Sequence, residues 1–159
     1  MKQYIGTKII HAEPARRYWF ENGEKLVVSD SEENPERIKQ AAACESGYKV
    51  VYSPDGYESW SPKDVFEEAY RETTAMPFGL AIEAAKKGKR IARAGWNGKN
   101  QYVELASGIS YVNGDAHIVN VNHDNIGNKA LAFVGTSGVQ MGWLASQADM
   151  LADDWCFAE

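Results

Sequence analysis

The sequence predicts an α+β fold in two modules, residues 1–75 and 76–159. Three stretches carry that reading. Met76 to Gly98 reads as an amphipathic helix, a glycine stop, a basic strand and a Trp-bearing turn. Tyr48 to Trp60 reads as a hairpin, with YKVVYS and YESW on either side of Pro54-Asp55-Gly56. From Gln101 onward the apolar runs are short and β-rich, and one helical turn near Ser146 interrupts them.

In the first module, Tyr4 to Ile10 is rich in β-formers. Ala12 to Phe20 fits no single period, and Asn22-Gly23 ends it with a turn. Leu26-Val27-Val28 is a short strand. Pro35 opens a helix expected to reach about Cys44, with Gly47 as its stop. After the hairpin, Ser61 is the expected N-cap of a second helix and Pro62 its first residue. Val65, Phe66, Ala69 and Tyr70 supply its apolar side. Glu72 to Ala75 is the expected joint.

In the second module, Phe78, Ile82 and Ala85 recur at helical spacing with Ala81 beside them. Gly88 stands where a C-terminal cap belongs, just after Lys86 and Lys87, whose charges suit the negative helix end. Arg90 to Arg93 alternates polar and apolar, as a half-buried strand does. Gly95-Trp96-Asn97-Gly98 turns the chain with an aromatic at the tip. Gln101 to Leu105 is a strand. Ser107 to Asn128 is expected to be a long loop with one weak strand at His117 to Val121. Ala130 to Val134 and Val139 to Trp143 form a hairpin around Gly135 to Gly138. Ser146 to Leu151 is a single helical turn, and Asp154 to Phe157 the last strand.

The run MPFGLAIEAAKKGKRIARAGWNGK, with GWLASQADMLADDW near the other end, closely resembles the second Thoeris anti-defence family of small phage proteins. The likeness covers Met76 to Trp155, about half the chain. Two motifs of this length in the right order are a specific signal; a lone GWNG is a weak one. The resemblance implies an SH3-like β-barrel with one N-terminal helix, assembled as a homotetramer. It implies no catalysis: members sequester the cyclic ADP-ribose isomers that bacterial TIR enzymes make as an alarm signal. Members usually begin at the residue matching Met76, so an internal start-like Met fits a fusion. The first half resembles short modules of phage hypothetical proteins, with a pattern GY.VxY..GY.SWSPK.VFE.AYR, and no function follows from it.

The formal net charge of -5 argues against general nucleic-acid binding. Charge is unevenly placed: six of the seven basic residues after position 75 lie between Lys86 and Lys99. Such a strip in an acidic protein suits a small anion better than a long polyanion, though a solvated helix end and strand edge would look the same. No run is long and apolar enough to span a membrane, and MKQYIGTKII lacks the core and cleavage site of a signal peptide. Cys44 and Cys156 lie far apart, outside metal-like spacing, and read as ordinary thiols.

Trp96 heads the candidate ligand-binding residues. On a turn between two glycines it can offer a flat face to a purine, or it can fold into the core. Asn97 can read an adenine edge or ribose hydroxyls, or serve the turn alone. Arg93 and Lys99 flank the Trp and can pair with a pyrophosphate, or stand as a solvated strand edge. Ser146, Gln147 and Asp149 combine hydroxyl, amide and carboxylate at a helix start, which suits ribose and phosphate. Ser146 and Asp149 also match a capping box, and both roles can hold together. Trp143, Met150, Leu151 and Trp155 read as core or subunit interface. His117 and His123, with Asp115 and Asp124, match no strong metal motif. Asp153-Asp154 is discounted as an acid–base pair, because adjacent strand residues point apart.

The expected function is that of a sponge in the cytoplasm of an infected bacterial host. It binds a cyclic ADP-ribose isomer such as 1″–3′ glyco-cyclic ADP-ribose, without turnover, cofactor or metal. Cyclic dinucleotides are a rival or additional ligand. An enzyme that hydrolyses the nucleotide and a phage protein-interaction module are the competing classes.

Overall fold

The computed structural model describes the chain apart from residue 4 and residues 32–34, 97–99, 124–128 and 159. It divides into two compact units, Met1–Arg71 and Glu72–Glu159, each mostly β-strand with few helices. Among the described residues no helix is long and apolar enough to cross a membrane.

The first unit runs β1 (His11–Trp19), β2 (Lys25–Ser29), α1 (Pro35–Ile38), β3 (Ala43–Tyr52), β4 (Tyr57–Pro62) and α2 (Lys63–Ala69). Its strands form an antiparallel sheet in the order β2-β1-β3-β4, over a core of Ala15, Tyr18, Val28 and Val50. The first expected strand is displaced. Ile5 to Ile10 form no strand, and the following segment, His11 to Trp19, takes the place between β2 and β3. Ladder partners on both sides outweigh local β-propensity.

The expected helix from Pro35 to about Cys44 is also corrected. It is one turn long, and β3 begins at Ala43. Gly47 lies inside β3, opposite Ala15 on one side and Pro62 on the other. A Cβ at Gly47 would stand 2.2 Å from the Ser61 carbonyl oxygen and 2.7 Å from the Trp60 ring. The glycine is there for close approach, not to stop a helix. Helix α2 starts one residue later than expected, with Pro62 as N-cap and Ser61 inside β4. Its Phe66 ring stacks between Tyr48, 4.0 Å away, and Tyr70, 4.9 Å away; Val65 and Ala69 face solvent.

The second unit runs α3 (Phe78–Lys86), β5 (Ile91–Arg93), β6 (Tyr102–Ala106), β7 (Tyr111–Val112), β8 (Ile118–Val119), β9 (Ala130–Gly135), β10 (Gly138–Met141), α4 (Gln147–Met150) and β11 (Trp155–Phe157). Helix α3 buries Ala81, Ala84 and Ala85, small enough to let it lie close on the strands. It ends as expected. Gly88 has φ +83, its N–H donates to Ala85 O, and Lys89 N donates to Ala84 O, which together make a Schellman cap.

Five strands form one antiparallel sheet in the order β10-β9-β6-β5-β11. Met76, Ile91, Val103 and Trp155 join the three alanines as its buried core. Met76 also bridges to Trp155 through backbone hydrogen bonds in both directions. In the stretch after β6, expected to be a long loop with one weak strand at His117 to Val121, that strand is present as β8 and pairs with β7 in a second, two-stranded sheet. Asn113 Oδ1 accepts from the backbone N–H of Asp115 and His117 and so closes its turn.

Candidate functional site

The site grows from the end of β5. In the β5–β11 ladder Arg93 stands opposite Trp155, so its side chain comes beside the segment leading into β11. Arg93 Nε donates to Asp154 Oδ1 at 2.7 Å. Its Nη1 donates to Asp149 Oδ1 at 3.1 Å and to the Ala148 carbonyl at 3.3 Å. The Arg93 side chain is only 21% exposed and that of Asp149 16%. One guanidinium thus spans two carboxylates, and these bonds raise its pKa further.

Asp149 is held a second time by the capping box of α4. Its backbone N–H donates to Ser146 Oγ at 3.1 Å, and its Oδ2 accepts from Ser146 N at 3.1 Å and Ser146 Oγ at 2.7 Å. Burial pushes the Asp149 carboxyl up, but the bonds from Ser146 and Arg93 outweigh it and leave the pKa lowered. The Asp154 carboxyl is lowered chiefly by its hydrogen bond from Arg93, with burial opposing. Asp154 Oδ2 also accepts from Gly95 N at 3.3 Å.

Beside this polar cluster lies an aromatic one. Trp96 is half-buried and meets three rings edge-on: Phe133 and Trp155 with centroids 5.5 Å away, and Trp143 at 6.2 Å. Trp155 ties the two clusters together, since its Nε1 donates to Asp149 O at 2.9 Å. Trp143 and Trp155 are also in contact, at 6.2 Å.

Of the expected site residues, the fold brings Arg93, Ser146 and Asp149 into one network and sets Trp96 against it through Trp155. Gln147 is exposed on the first position of α4. Asn97 and Lys99 lie outside the described residues. Sequence reasoning passed over Asp154, which accepts from both Arg93 and Gly95, and Phe133, which packs on Trp96. Asp154 comes to Arg93 only through the pairing of β11 with β5, which its sequence position just before Trp155 does not signal. The same holds for Phe133, which reaches Trp96 from β9.

Chemically the cluster is a cation countered by two carboxylates. A pyrophosphate approaching Arg93 would meet both carboxylates, whereas hydroxyl groups would find acceptor oxygens. Among the described residues no group of three His, Cys, Asp or Glu lies together as a metal would require, and both cysteines are free.

The model of the Thoeris anti-defense 2-like domain matches residues 76–158. The chain is similar to "Thoeris anti-defense 2" of Bacillus phage SP01, with 36% identity over 85 residues, which are 52% of this chain and 93% of that protein. The matched span contains both aromatic and polar clusters of the second unit. The chain belongs to the Thoeris anti-defense 2-like family.

Proposed function

We propose that this chain is a phage anti-defence protein that binds and sequesters a TIR-made cyclic ADP-ribose isomer, such as 1″–3′ glyco-cyclic ADP-ribose, without turning it over. One observation carries the proposal: the family match covers residues 76–158, a span that includes every candidate site residue from Arg93 to Asp149. The Trp96 cluster supports it with an aromatic wall for adenine, and the carboxylates with acceptors for ribose hydroxyls. Sequestration acts by mass action, holding the free signal below the level that triggers the host effector.

In this proposal the second unit is an SH3-like barrel that works as a homotetramer in the cytoplasm of the infected host. Val139, Met141, Leu144 and Leu151 are exposed, which favours burial against further copies. Light scattering then gives a mass of about four times 17.6 kDa, and a monomer at micromolar concentration contradicts the tetramer.

The decisive experiment mixes the full chain with the nucleotide, isolates the complex, heats it and identifies what is released. Intact nucleotide is expected. Altered nucleotide would make the protein an enzyme, and none released would leave a protein-interaction module. A parallel thermal-shift panel that includes cyclic dinucleotides ranks the ligands.

A further inference from the structure

We infer that Asp154 is a positioning residue for the Trp96 turn, fixing the ring before any ligand arrives. The inference rests on the reading of this region as the nucleotide site. Among the bonds of residues 93 to 96 are four that hold the turn, and Asp154 makes three of them. Its carboxylate is shared between two donors, Arg93 Nε at 2.7 Å and Gly95 N at 3.3 Å. Its backbone carbonyl accepts from Ala94 N at 3.0 Å. The fourth closes the turn, from Trp96 N to Arg93 O at 3.2 Å.

The bracing reaches further than one turn. Asp154 stands 61 residues from Arg93, so the bond ties the first motif of the unit to the last. Arg93 passes the constraint to Asp149, whose carbonyl holds the Trp155 indole, and that ring packs against Trp96. The Trp96 ring is therefore located twice, once through its backbone and once through its packing. Holding an aromatic in its bound position beforehand removes part of the ordering cost of binding. Asparagine in place of Asp154 keeps the shape but offers one acceptor oxygen where two donors need one each.

The test compares wild type, Asp154→Asn, Asp154→Ala, Trp96→Phe and the double variant Asp154→Asn/Trp96→Phe. Each full chain is titrated calorimetrically with 1″–3′ glyco-cyclic ADP-ribose, and the near-ultraviolet circular dichroism of each ligand-free protein is recorded. Asp154→Asn is expected to weaken binding about tenfold, equivalent to ~1.4 kcal/mol, and Asp154→Ala at least as much. The tryptophan bands of the free protein change in both. With Trp96 already replaced, Asp154→Asn adds less than roughly a threefold loss, because the group it positions is gone. Wild-type affinity in Asp154→Asn, or losses that multiply in the double variant, overturns the inference. If wild type itself does not bind, the nucleotide reading fails. The free-protein spectrum then decides the positioning role: altered bands in Asp154→Asn support it, and unaltered bands overturn it.

Discussion

Trp96 carries both a packing role and a proposed contact, and its variants separate the two. Three edge-on ring contacts from a half-buried side chain mean that Trp96→Ala removes packing as well as a stacking face. We expect a stability loss of about 3 kcal/mol, at the low end for deleting a Trp because the ring is not fully buried. Affinity for the cyclic nucleotide falls by about five- to 150-fold, the range for losing one stacked base. Differential scanning calorimetry and titration of the same preparation measure both. Unchanged affinity in a folded Trp96→Ala protein removes the residue from the site. The two thiols make a second residue-scale contrast. Cys44 is exposed, whereas Cys156 is half-buried and its Sγ lies 3.5 Å from Ala92 O. Burial pushes the Cys156 thiol up, with Asp154 adding to the effect. A thiol reagent at neutral pH should therefore label Cys44 quickly and Cys156 only slowly. Equal rates would contradict the packing of β11.

At the scale of elements, Gly47 holds the sharpest expectation. Its absent side chain lets β4 cross close to β3, and an added Cβ meets the Ser61 carbonyl as well as the Trp60 ring. Gly47→Ala should destabilise the first unit by about 1–3 kcal/mol through overpacking, while nucleotide affinity stays at the wild-type value. Denaturant unfolding followed by circular dichroism checks the first and titration the second; an unshifted transition would refute the close approach. This glycine also marks the limit of what the sequence discloses. Where local chemistry decides, the reading holds: α3 with its Gly88 cap, the β3–β4 hairpin and the Ser146–Asp149 box all follow from spacings of a few residues. Where distant partners decide, it does not. Gly47 looks like a helix stop until Trp60 lies over it, and β1 wins its place over Ile5 to Ile10 through two neighbouring strands. In the loop after β6 the expected weak strand is present as β8, whereas its partner β7 has two residues, too few to show a period. In the candidate site, Trp96, Arg93 and Asp149 were visible as types. Their actual partners, Phe133 and Asp154, depend on pairings across the sheet that no spacing encodes.

For the whole molecule, the division at Arg71 and Glu72 sets the natural fragment. Residues 72–159 contain the complete second core and both clusters of the site. That fragment should fold alone and bind the cyclic nucleotide with the affinity of the full chain. A shorter piece starting at Met76 lacks the bond from Phe157 N to Thr73 O and should be less stable by about 1 kcal/mol. Thermal melts of the two fragments and one titration decide it. A longer fragment that folds but has lost binding would assign part of the site to residues 1–71.

The same bond has an architectural consequence. Thr73 lies at the beginning of the second unit and Phe157 at its end, and a single 3.1 Å hydrogen bond joins them, with the Met76–Trp155 bridge alongside. A domain closed in this way can be spliced into a surface loop of a host protein without prising that loop apart. It can equally be circularly permuted, with its old ends sewn together and new ones opened beside Asn113 at the exposed Gly114. The unit is built as a cassette, indifferent to what its neighbours in the chain are.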